Sequence, residues 1–361
     1  MTQSSWPFYE QDESDAVSEG VSSGRVNYWT GENGKAFEQE FAEHCEAEHA
    51  IALGNGTLAL ELALEAAGIG PGDEVVVTPR TFIASASCVV RMGARPVFAD
   101  VSLESQNLTP ESVEAVVTPN TKAVIAVHHA GWPCDMDGLM SLAAERGLIV
   151  IEDCAQAHGA LYKGRPVGGL GHIGAFSFCQ DKIMTTGGEG GMLVTNDQAI
   201  WKKSWAIKDH GKSYDAVFNK DHAPGFRWLH ESFGTNMRMT EMQATIGRLQ
   251  LGKLADWNRM RTNNAHRIAE ALSKYSAIRV PMPDDSIQHA YYRLYAFVDS
   301  GLLAEGWDRD RIMSEINALG IPCFSGSCPE IYNERAFELA GLRPESPLPN
   351  AAALGPESLA F

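Results

Sequence analysis

Residues 121–155, TKAVIAVHHAGWPCDMDGLMSLAAERGLIVIEDCA, contain a strand-like run, a helix-like segment and a second strand-like run in that order. The two strand-like runs, residues 121–130 and 148–155, are continuously apolar rather than alternating, and residues 136–147 between them read as a helix. Continuous apolar strands that alternate with helices are typical of parallel strands covered on both faces. The stretch therefore predicts one unit of an α/β domain with a parallel sheet.

The same alternation extends towards the N-terminus. Helix-like segments at residues 56–68, 82–93 and 110–117 alternate with strand-like segments at residues 73–79 and 95–101. The class of fold that this indicates is a three-layer α/β domain, with helices on both faces of a mostly parallel sheet.

The pattern changes after residue 197. Residues 238–275 contain no proline and read as one or two long helices, and residues 291–299, 308–320 and 321–326 read as a strand, a helix and a strand. The chain is thus predicted to divide into three parts: an acidic N-terminal arm (1–22), a large domain (23–245), and a linker helix with a smaller C-terminal α/β domain (246–361).

Composition restricts the classes of partner. With 46 acidic and 29 basic residues among 361, the formal net charge is −17, which disfavours nucleic acid and anionic membranes because each phosphate contact needs a cation. No uncharged run approaches the roughly 18 to 20 residues of a membrane span.

The seven cysteines suit reduced thiols. Cys323 and Cys328 could form a disulfide or half a metal site, but no companion pair accompanies them. We predict a cytoplasmic, metal-free protein that acts on small molecules.

Ligands of such sheets bind at the carboxyl ends of the strands, where three places carry polar residues. Asp153 follows an apolar strand and is either a ligand or an acidic cap. Residues 54–57, GNGT, either present free helix N–H groups to an anion or hold only a cap made by Thr57. Ser177 and Lys182 end an apolar run before four glycines, where a lysine is either solvated or forms a Schiff base.

A phosphate cradle, a buried carboxylate and an amine nucleophile are the groups that pyridoxal 5′-phosphate (PLP) requires. Its aldehyde condenses with a lysine, its pyridine nitrogen needs an acidic partner to stay protonated, and its phosphate needs donors. The three places together therefore favour a PLP enzyme.

Seven motifs between about Gly24 and Tyr295 resemble those of the DegT/DnrJ/EryC1/StrS family of sugar aminotransferases, which are PLP enzymes of fold type I. The motifs are GNGTLAL (54–60), TPRTFIASA (78–86), GARPVFADV (93–101), HHAGWPCDMDGLM (128–140), IEDCAQAHGA (151–160), FSFCQDKIMTTGGEGG (176–191) and GTNMRMTEMQA (234–244).

The resemblance implies roles around the cofactor ring. Lys182 would carry the cofactor and move protons, and Asp153 would pair with the pyridinium nitrogen. Gln156 would contact the ring oxygen, and Phe82 would stack on the ring face. To act as a base Lys182 must be neutral when released, and burial beside a cationic ring is expected to lower its pKa.

The resemblance also implies how the phosphate is held. Gly56, Thr57 and Ser177 would bind it within one subunit, and Asn236 would reach it from the neighbouring subunit. The protein would therefore be a homodimer with shared active sites.

The implied reaction moves an amino group from L-glutamate to a nucleotide-linked keto-sugar by a ping-pong mechanism, at C4 rather than C3. Alternatives are an aminocyclitol ketone as acceptor, a sugar 3-dehydratase, and a regulator that binds PLP without turnover. The dehydratases have histidine in place of the lysine, so Lys182 argues against them. An amino-acid aminotransferase would need a carboxylate contact, for which Arg279, Arg293 and Arg311 are candidates.

Three further residues, His128, His210 and Arg238, are candidate substrate contacts. GLGHIG at residues 169–174 fits a dinucleotide-binding pattern, but it precedes a strand instead of following one, so we reject that interpretation. Residues 322–332, PCFSGSCPEIY, replace a histidine and tyrosine pair of many family members. Members also usually continue beyond GPESLAF through a strand and a helix, so we expect either a truncated or an unusual C-terminus.

Overall fold

A computed structural model describes residues 6–361, so the first five residues of the predicted arm lie outside it. The strands are β1 (His49–Leu53), β2 (Glu74–Val77), β3 (Arg95–Phe98), β4 (Thr121–Val127), β5 (Ile149–Asp153), β6 (Leu161–Tyr162), β7 (Arg165–Pro166), β8 (Ile173–Ser177), β9 (Gly191–Thr195), β10 (Ile278–Arg279), β11 (Ile287–Gln288), β12 (Tyr295–Val298) and β13 (Ser358–Ala360). The α-helices are α1 (Gln11–Ser23), α2 (Asn33–His44), α3 (Gly56–Ala66), α4 (Ala84–Arg91), α5 (Pro110–Glu114), α6 (Met136–Arg146), α7 (Gln198–Lys208), α8 (Tyr214–Phe218), α9 (Glu241–Leu272), α10 (Arg309–Ala318), α11 (Arg335–Leu339) and α12 (Pro349–Glu357). Short 3-10 helices occupy His129–Gly131, Ser300–Leu302 and Ile331–Asn333.

The large domain is built on a seven-stranded sheet in the order β1-β9-β8-β5-β4-β2-β3. Strands β8, β5, β4, β2 and β3 pair in parallel, and β9 runs antiparallel to both β1 and β8. The prediction of a mostly parallel sheet is therefore confirmed.

Both faces of this sheet are covered by helices. In β2, Val75 and Val77 pack into a core with α3, α4 and α7, whereas Val76 points into a second core with α5 and α6. Further along the same second face, α2 and α9 cover β1, β8 and β9. The three-layer architecture is confirmed, because successive strand residues face opposite layers.

Helix α9 is one continuous helix of 32 residues, begun by a capping box of Thr240 and Gln243. The predicted boundary between residues 245 and 246 lies inside it. The predicted arm contributes α1, which packs on α9 through a buried Glu13 whose Oε2 lies 2.9 Å from Lys253 Nζ. Despite its length α9 is not apolar, and no helix within residues 6–361 combines the length and hydropathy needed to cross a membrane.

The C-terminal part forms a three-stranded antiparallel sheet in the order β10-β12-β13. The predicted strand at residues 321–326 is wrong: it makes a single bridge between Phe324 and Ala360, and the third strand is β13. The side chain of Asn317 accepts from Cys323 N at 3.2 Å and donates to Cys323 O at 2.7 Å. These backbone groups are therefore occupied by a side chain instead of a neighbouring strand.

Candidate active site

A cavity of about 1000 Å³ opens beside the carboxyl ends of β5 and β8 and the start of α3. Seven of the residues predicted to bind PLP line it together: Gly56, Thr57, Phe82, Asp153, Gln156, Ser177 and Lys182. The sheet brings them to one edge because the strands before Asp153 and Ser177 are parallel neighbours.

The first turn of α3 forms an anion cradle. Its cap is Asn55, whose Oδ1 accepts from Leu58 N at 2.9 Å, so the alternative in which Thr57 caps the helix is wrong. Thr57 instead lines the cavity. A Cβ on Gly56 would lie 2.5 Å from Ser177 Cβ, so only glycine allows α3 to begin this close to β8. The first N–H groups of the helix and two hydroxyls thus surround a space that suits phosphate.

Asp153 is a buried carboxylate without a cationic partner. Only 5% of it is exposed; Oδ2 accepts from Ser85 Oγ at 2.7 Å and Oδ1 from Ala155 N at 3.1 Å. Burial raises the pKa of Asp153, although these hydrogen bonds and the charge of Lys182 oppose the rise. No lysine or arginine of residues 6–361 lies within 4.0 Å of it. A protonated pyridine nitrogen would supply the missing charge, so the site fits PLP.

The amine of Lys182 is held by its sequence neighbour. Nζ lies 3.0 Å from Asp181 Oδ2 and 5.2 Å from the ring centre of Tyr292, whose hydroxyl donates to the same Asp181 oxygen at 2.6 Å. Burial disfavours the charged amine, but Tyr292 and Asp181 outweigh it and raise the pKa of Lys182. Because burial also raises the pKa of Tyr292, the phenol is neutral near pH 7 and Asp181 is the effective charge. The predicted lowering of the lysine pKa concerns the amine beside the cationic cofactor ring, and it stays a prediction.

Sequence reasoning missed both of these partners. Asp181 could have been noticed because it directly precedes Lys182, but nothing marks Tyr292 in advance. Of the four glycines that follow Lys182, Gly187 and Gly188 form a turn with φ of 87° and 120°.

Gln156 and Phe82 occupy the walls of the cavity. Gln156 Oε1 accepts from Ala130 N at 2.7 Å, which leaves the Nε2 donor for a ring oxygen. The ring of Phe82 is 68% exposed and borders the cavity, as a residue that covers a bound ring would.

Four of the predicted site residues lie outside the cavity. His128 is wrongly predicted as a substrate contact, because it is fully buried and both ring nitrogens are engaged, by Glu152 Oε2 at 2.9 Å and Cys134 N at 3.0 Å. The other three are His210, Arg238 and Asn236. His210 is exposed, and Nη1 of Arg238 lies 2.5 Å from Asp209 Oδ1. Asn236 is also exposed, and its Oδ1 accepts a hydrogen bond from Arg238 N.

The buried carboxylate of Glu152 accounts for the rejected GLGHIG segment. It accepts from His128 Nε2 and from the N–H groups of Gly168, Leu170 and Gly171 at 2.6–2.9 Å. The rejected GLGHIG segment therefore wraps a carboxylate at the end of β5. Cys154, His128 and Glu152 lie close enough together to resemble a metal-binding site. However, hydrogen bonds already occupy both carboxylate oxygens of Glu152.

A three-layer α/β domain that brings a lysine, a buried carboxylate and a helix N-terminus to one cavity at its sheet edge defines the fold type I class of PLP-dependent transferases. The model of the DegT/DnrJ/EryC1/StrS aminotransferase family matches residues 8–360. The chain belongs to this family, and it is an aminotransferase.

Relatives of known structure or name agree with this assignment. The X-ray structure of the aminotransferase from Psychrobacter cryohalolentis is 60% identical in sequence and superposes with a TM-score of 0.98 over 99% of this chain and 93% of that one. GDP-perosamine synthase of Caulobacter vibrioides is 39% identical over 79% of this chain and 73% of its own length. The dTDP-3-amino-3,4,6-trideoxy-alpha-D-glucose transaminase of Streptomyces venezuelae is 35% identical over 96% and 85%.

Proposed function

We propose that this protein binds PLP in the cavity and transfers an amino group from L-glutamate to a keto-sugar linked to a nucleotide diphosphate. The observation that carries the proposal is that Lys182 and the cation-free carboxylate of Asp153 line one cavity with the anion cradle of α3. When bound, PLP supplies an electron sink for the carbon that gains or loses the amino group.

The residues that line the cavity have different roles in this reaction. The start of α3, with Thr57 and Ser177, binds the phosphate, and Asp153 keeps the ring nitrogen charged. Lys182 supplies the amine that attaches the cofactor and afterwards holds or moves the substrate proton. Phe82 shields one face of the ring from water.

The names of the relatives support a nucleotide-linked sugar as acceptor, since one is named for a GDP-sugar and another for a dTDP-sugar. The second name places an amino group at C3 of the sugar of that relative. Amination at C4 by the present protein therefore stays a prediction, and the position of nitrogen in the product, read by NMR, tests it.

A homodimer with shared active sites is the second part of the proposal. Three aromatic residues among the ten that precede Asn236 in the sequence are strongly exposed: Phe226 (77%), Trp228 (83%) and Phe233 (97%). Such an aromatic surface suits a protein interface. We expect inactive Lys182→Ala and Asn236→Ala proteins to regain activity when mixed, because one site of each mixed dimer receives both intact residues. Absence of any recovery, with subunit exchange demonstrated, would contradict shared sites.

The reaction is tested with purified protein and PLP. We expect an absorption band from the lysine-linked cofactor that shifts on addition of L-glutamate with release of 2-oxoglutarate, followed by amination of a keto-sugar nucleotide. Lys182→Ala should lose the band and the amino transfer. Full transfer by that variant, or formation of a 3-deoxy sugar without consumption of glutamate, would refute the proposal.

A further inference from the structure

The charged side chains around the cavity are unevenly paired. Those that line it are Glu61, Arg91, Asp153, Asp181, Lys182, Glu189, Arg293 and Glu334. Of the three cations, Arg91 lies 2.5 Å from Glu61 and Lys182 lies 3.0 Å from Asp181. Arg293 has no carboxylate within 4.0 Å anywhere in residues 6–361, although the chain carries an excess of 17 negative charges.

Aromatic rings hold Arg293 in place. Its guanidinium carbon lies 5.4 Å from the ring centre of Tyr292 and 5.5 Å from that of Phe324, and the residue is half-buried. Cation–π contacts fix a guanidinium without using its N–H groups. Its main chain is fixed as well, since Arg293 N donates to Ala130 O at 3.2 Å. The guanidinium group of Arg293 is therefore held at the border of the cavity. Its N–H donors have no acceptor among the described residues.

The other arginines considered as carboxylate contacts lie elsewhere. Arg279 lies 3.5 Å from Glu104 and donates to Leu103 O, whereas Arg311 stacks 4.2 Å from the ring centre of Trp307 and donates to Gly306 O. Neither lines the cavity.

We propose that Arg293 is the anion-binding residue of the substrate subsite and binds an oxyanion through paired N–H donors. Guanidinium matches carboxylate and phosphate oxygens in this way. The inference rests on the proposed function, in which both substrates carry such a group: the carboxylates of L-glutamate and the diphosphate of the nucleotide. It adds the residue by which the cavity recognises substrate charge.

Equilibrium binding of probes to the PLP-loaded protein tests this role. UDP, dTDP and GDP are titrated by calorimetry, and L-glutamate is titrated through the shift of the cofactor band in the first half-reaction. Arg293→Gln removes the charge from the cavity. Arg311→Gln is the matched control, because it removes an arginine that is also stacked on an aromatic ring but lies outside the cavity.

Loss of a charge-assisted bidentate contact is expected to weaken binding of at least one probe about 10- to 100-fold in Arg293→Gln. Arg311→Gln should bind every probe as the native protein does. A loss confined to the nucleotides identifies the diphosphate as the bound anion, and a loss confined to L-glutamate identifies the carboxylate. If no probe is weakened, or if Arg311→Gln is weakened equally, the inference is overturned.

Arg293→Lys covers the case in which the glutamine variant folds poorly. Lysine keeps the charge but lacks the planar fork, so its affinity for the same probe should lie between those of the native and glutamine proteins. Native affinity in the lysine variant would overturn bidentate binding. Failure of the proposed function looks different: the native protein would then show no lysine-linked cofactor band, whatever Arg293→Gln does to nucleotide binding.

Discussion

The amine of Lys182 lies 3.0 Å from Oδ2 of Asp181, and this oxygen also accepts a 2.6 Å hydrogen bond from Tyr292. Burial alone would raise the pKa of Asp181, but the Tyr292 donor and the lysine charge lower it to about 2. The carboxylate is therefore ionised at neutral pH and stabilises the ammonium form of Lys182. Since only the neutral amine attacks an aldehyde, we expect Asp181 to slow capture of the cofactor.

Asp181→Asn is expected to accelerate capture of PLP near pH 7. Removing the negative charge lowers the pKa of Lys182. Each unit by which this pKa falls increases the fraction of neutral amine about tenfold at a given pH. The rate at which the lysine-linked absorption band appears, measured against pH in the initially cofactor-free protein, checks this. The half-maximal pH should move to lower values.

Tyr292→Phe is the companion variant, because it removes the hydrogen bond to Asp181 and keeps the carboxylate. Its pH profile should remain close to that of the native protein. An unchanged profile in Asp181→Asn would show that this carboxylate does not control the lysine.

Gly56→Ala is expected to damage the phosphate cradle. The added methyl group would lie 2.5 Å from Ser177 Cβ and 2.9 Å from Ser177 Cα, so the start of α3 must move away from β8. Overpacking of this kind costs about 1–3 kcal/mol of unfolding free energy. The displaced N–H groups should also raise the dissociation constant of PLP at least about tenfold.

Gly252→Ala is the control for this prediction. Gly252 lies within α9, and nothing surrounds the position of its added methyl group within 4 Å. Because alanine is favoured over glycine in helices, stability should rise by about 0.5–1 kcal/mol with unchanged PLP affinity. Equal PLP affinity in Gly56→Ala and the native protein would exclude the cradle.

The large domain could be predicted because its signals are local. Alternating helices and apolar strands around residues 56–155 specify parallel pairing, and the polar residues after those strands meet at one edge. Strand β9 lies antiparallel between β1 and β8, and β1 is distant from β9 in the sequence. No local sequence pattern therefore predicts this arrangement.

Prediction failed where individual side-chain hydrogen bonds decide the environment. Tyr292 is 111 positions from Asp181, yet its hydroxyl donates to the carboxylate that faces Lys182. Asn317 replaces a strand partner for Cys323, and Asn55 caps α3 in place of Thr57. In each case the deciding contact is one or two side-chain hydrogen bonds, which leave no periodic trace in the sequence.

Asp153→Asn is expected to keep the lysine-linked cofactor band but to slow amino transfer by about 100-fold or more. The amide retains the shape of the carboxylate and can still accept from Ser85, whereas the negative charge facing the ring nitrogen is lost. Single-turnover rates with L-glutamate check this. Ser85→Ala removes one hydrogen bond without removing the charge, so a loss as large in that variant would argue against the charge of Asp153 as the cause.

Two buried histidines, His158 and His289, are expected to make the fold sensitive to acid. His158 packs against the rings of Phe176 and Phe178, and burial together with the charge of Lys182 lowers its pKa to about 3; burial does the same for His289. Because these folded-state pKa values lie below the unfolded value of about 6.5, the unfolded chain binds more protons below that pH. Stability is therefore unaffected by these groups above about pH 6.5 and falls as the pH drops towards 3.

The contribution of His158 can be isolated with His158→Leu, which removes the titrating ring from its apolar site. Between about pH 5.5 and pH 4, the unfolding free energy of the native protein should fall more steeply than that of the variant by about 1.4 kcal/mol per pH unit. Urea unfolding of the two cofactor-free proteins at several pH values measures the difference, and carboxylates that titrate in the same range cancel because both proteins carry them. Equal slopes for the two proteins would contradict this prediction, because they would mean that His158 takes up a proton in the folded state. The ring has no hydrogen-bond partner and lies against two phenylalanines, so it could take up a proton there only if the site opened to water.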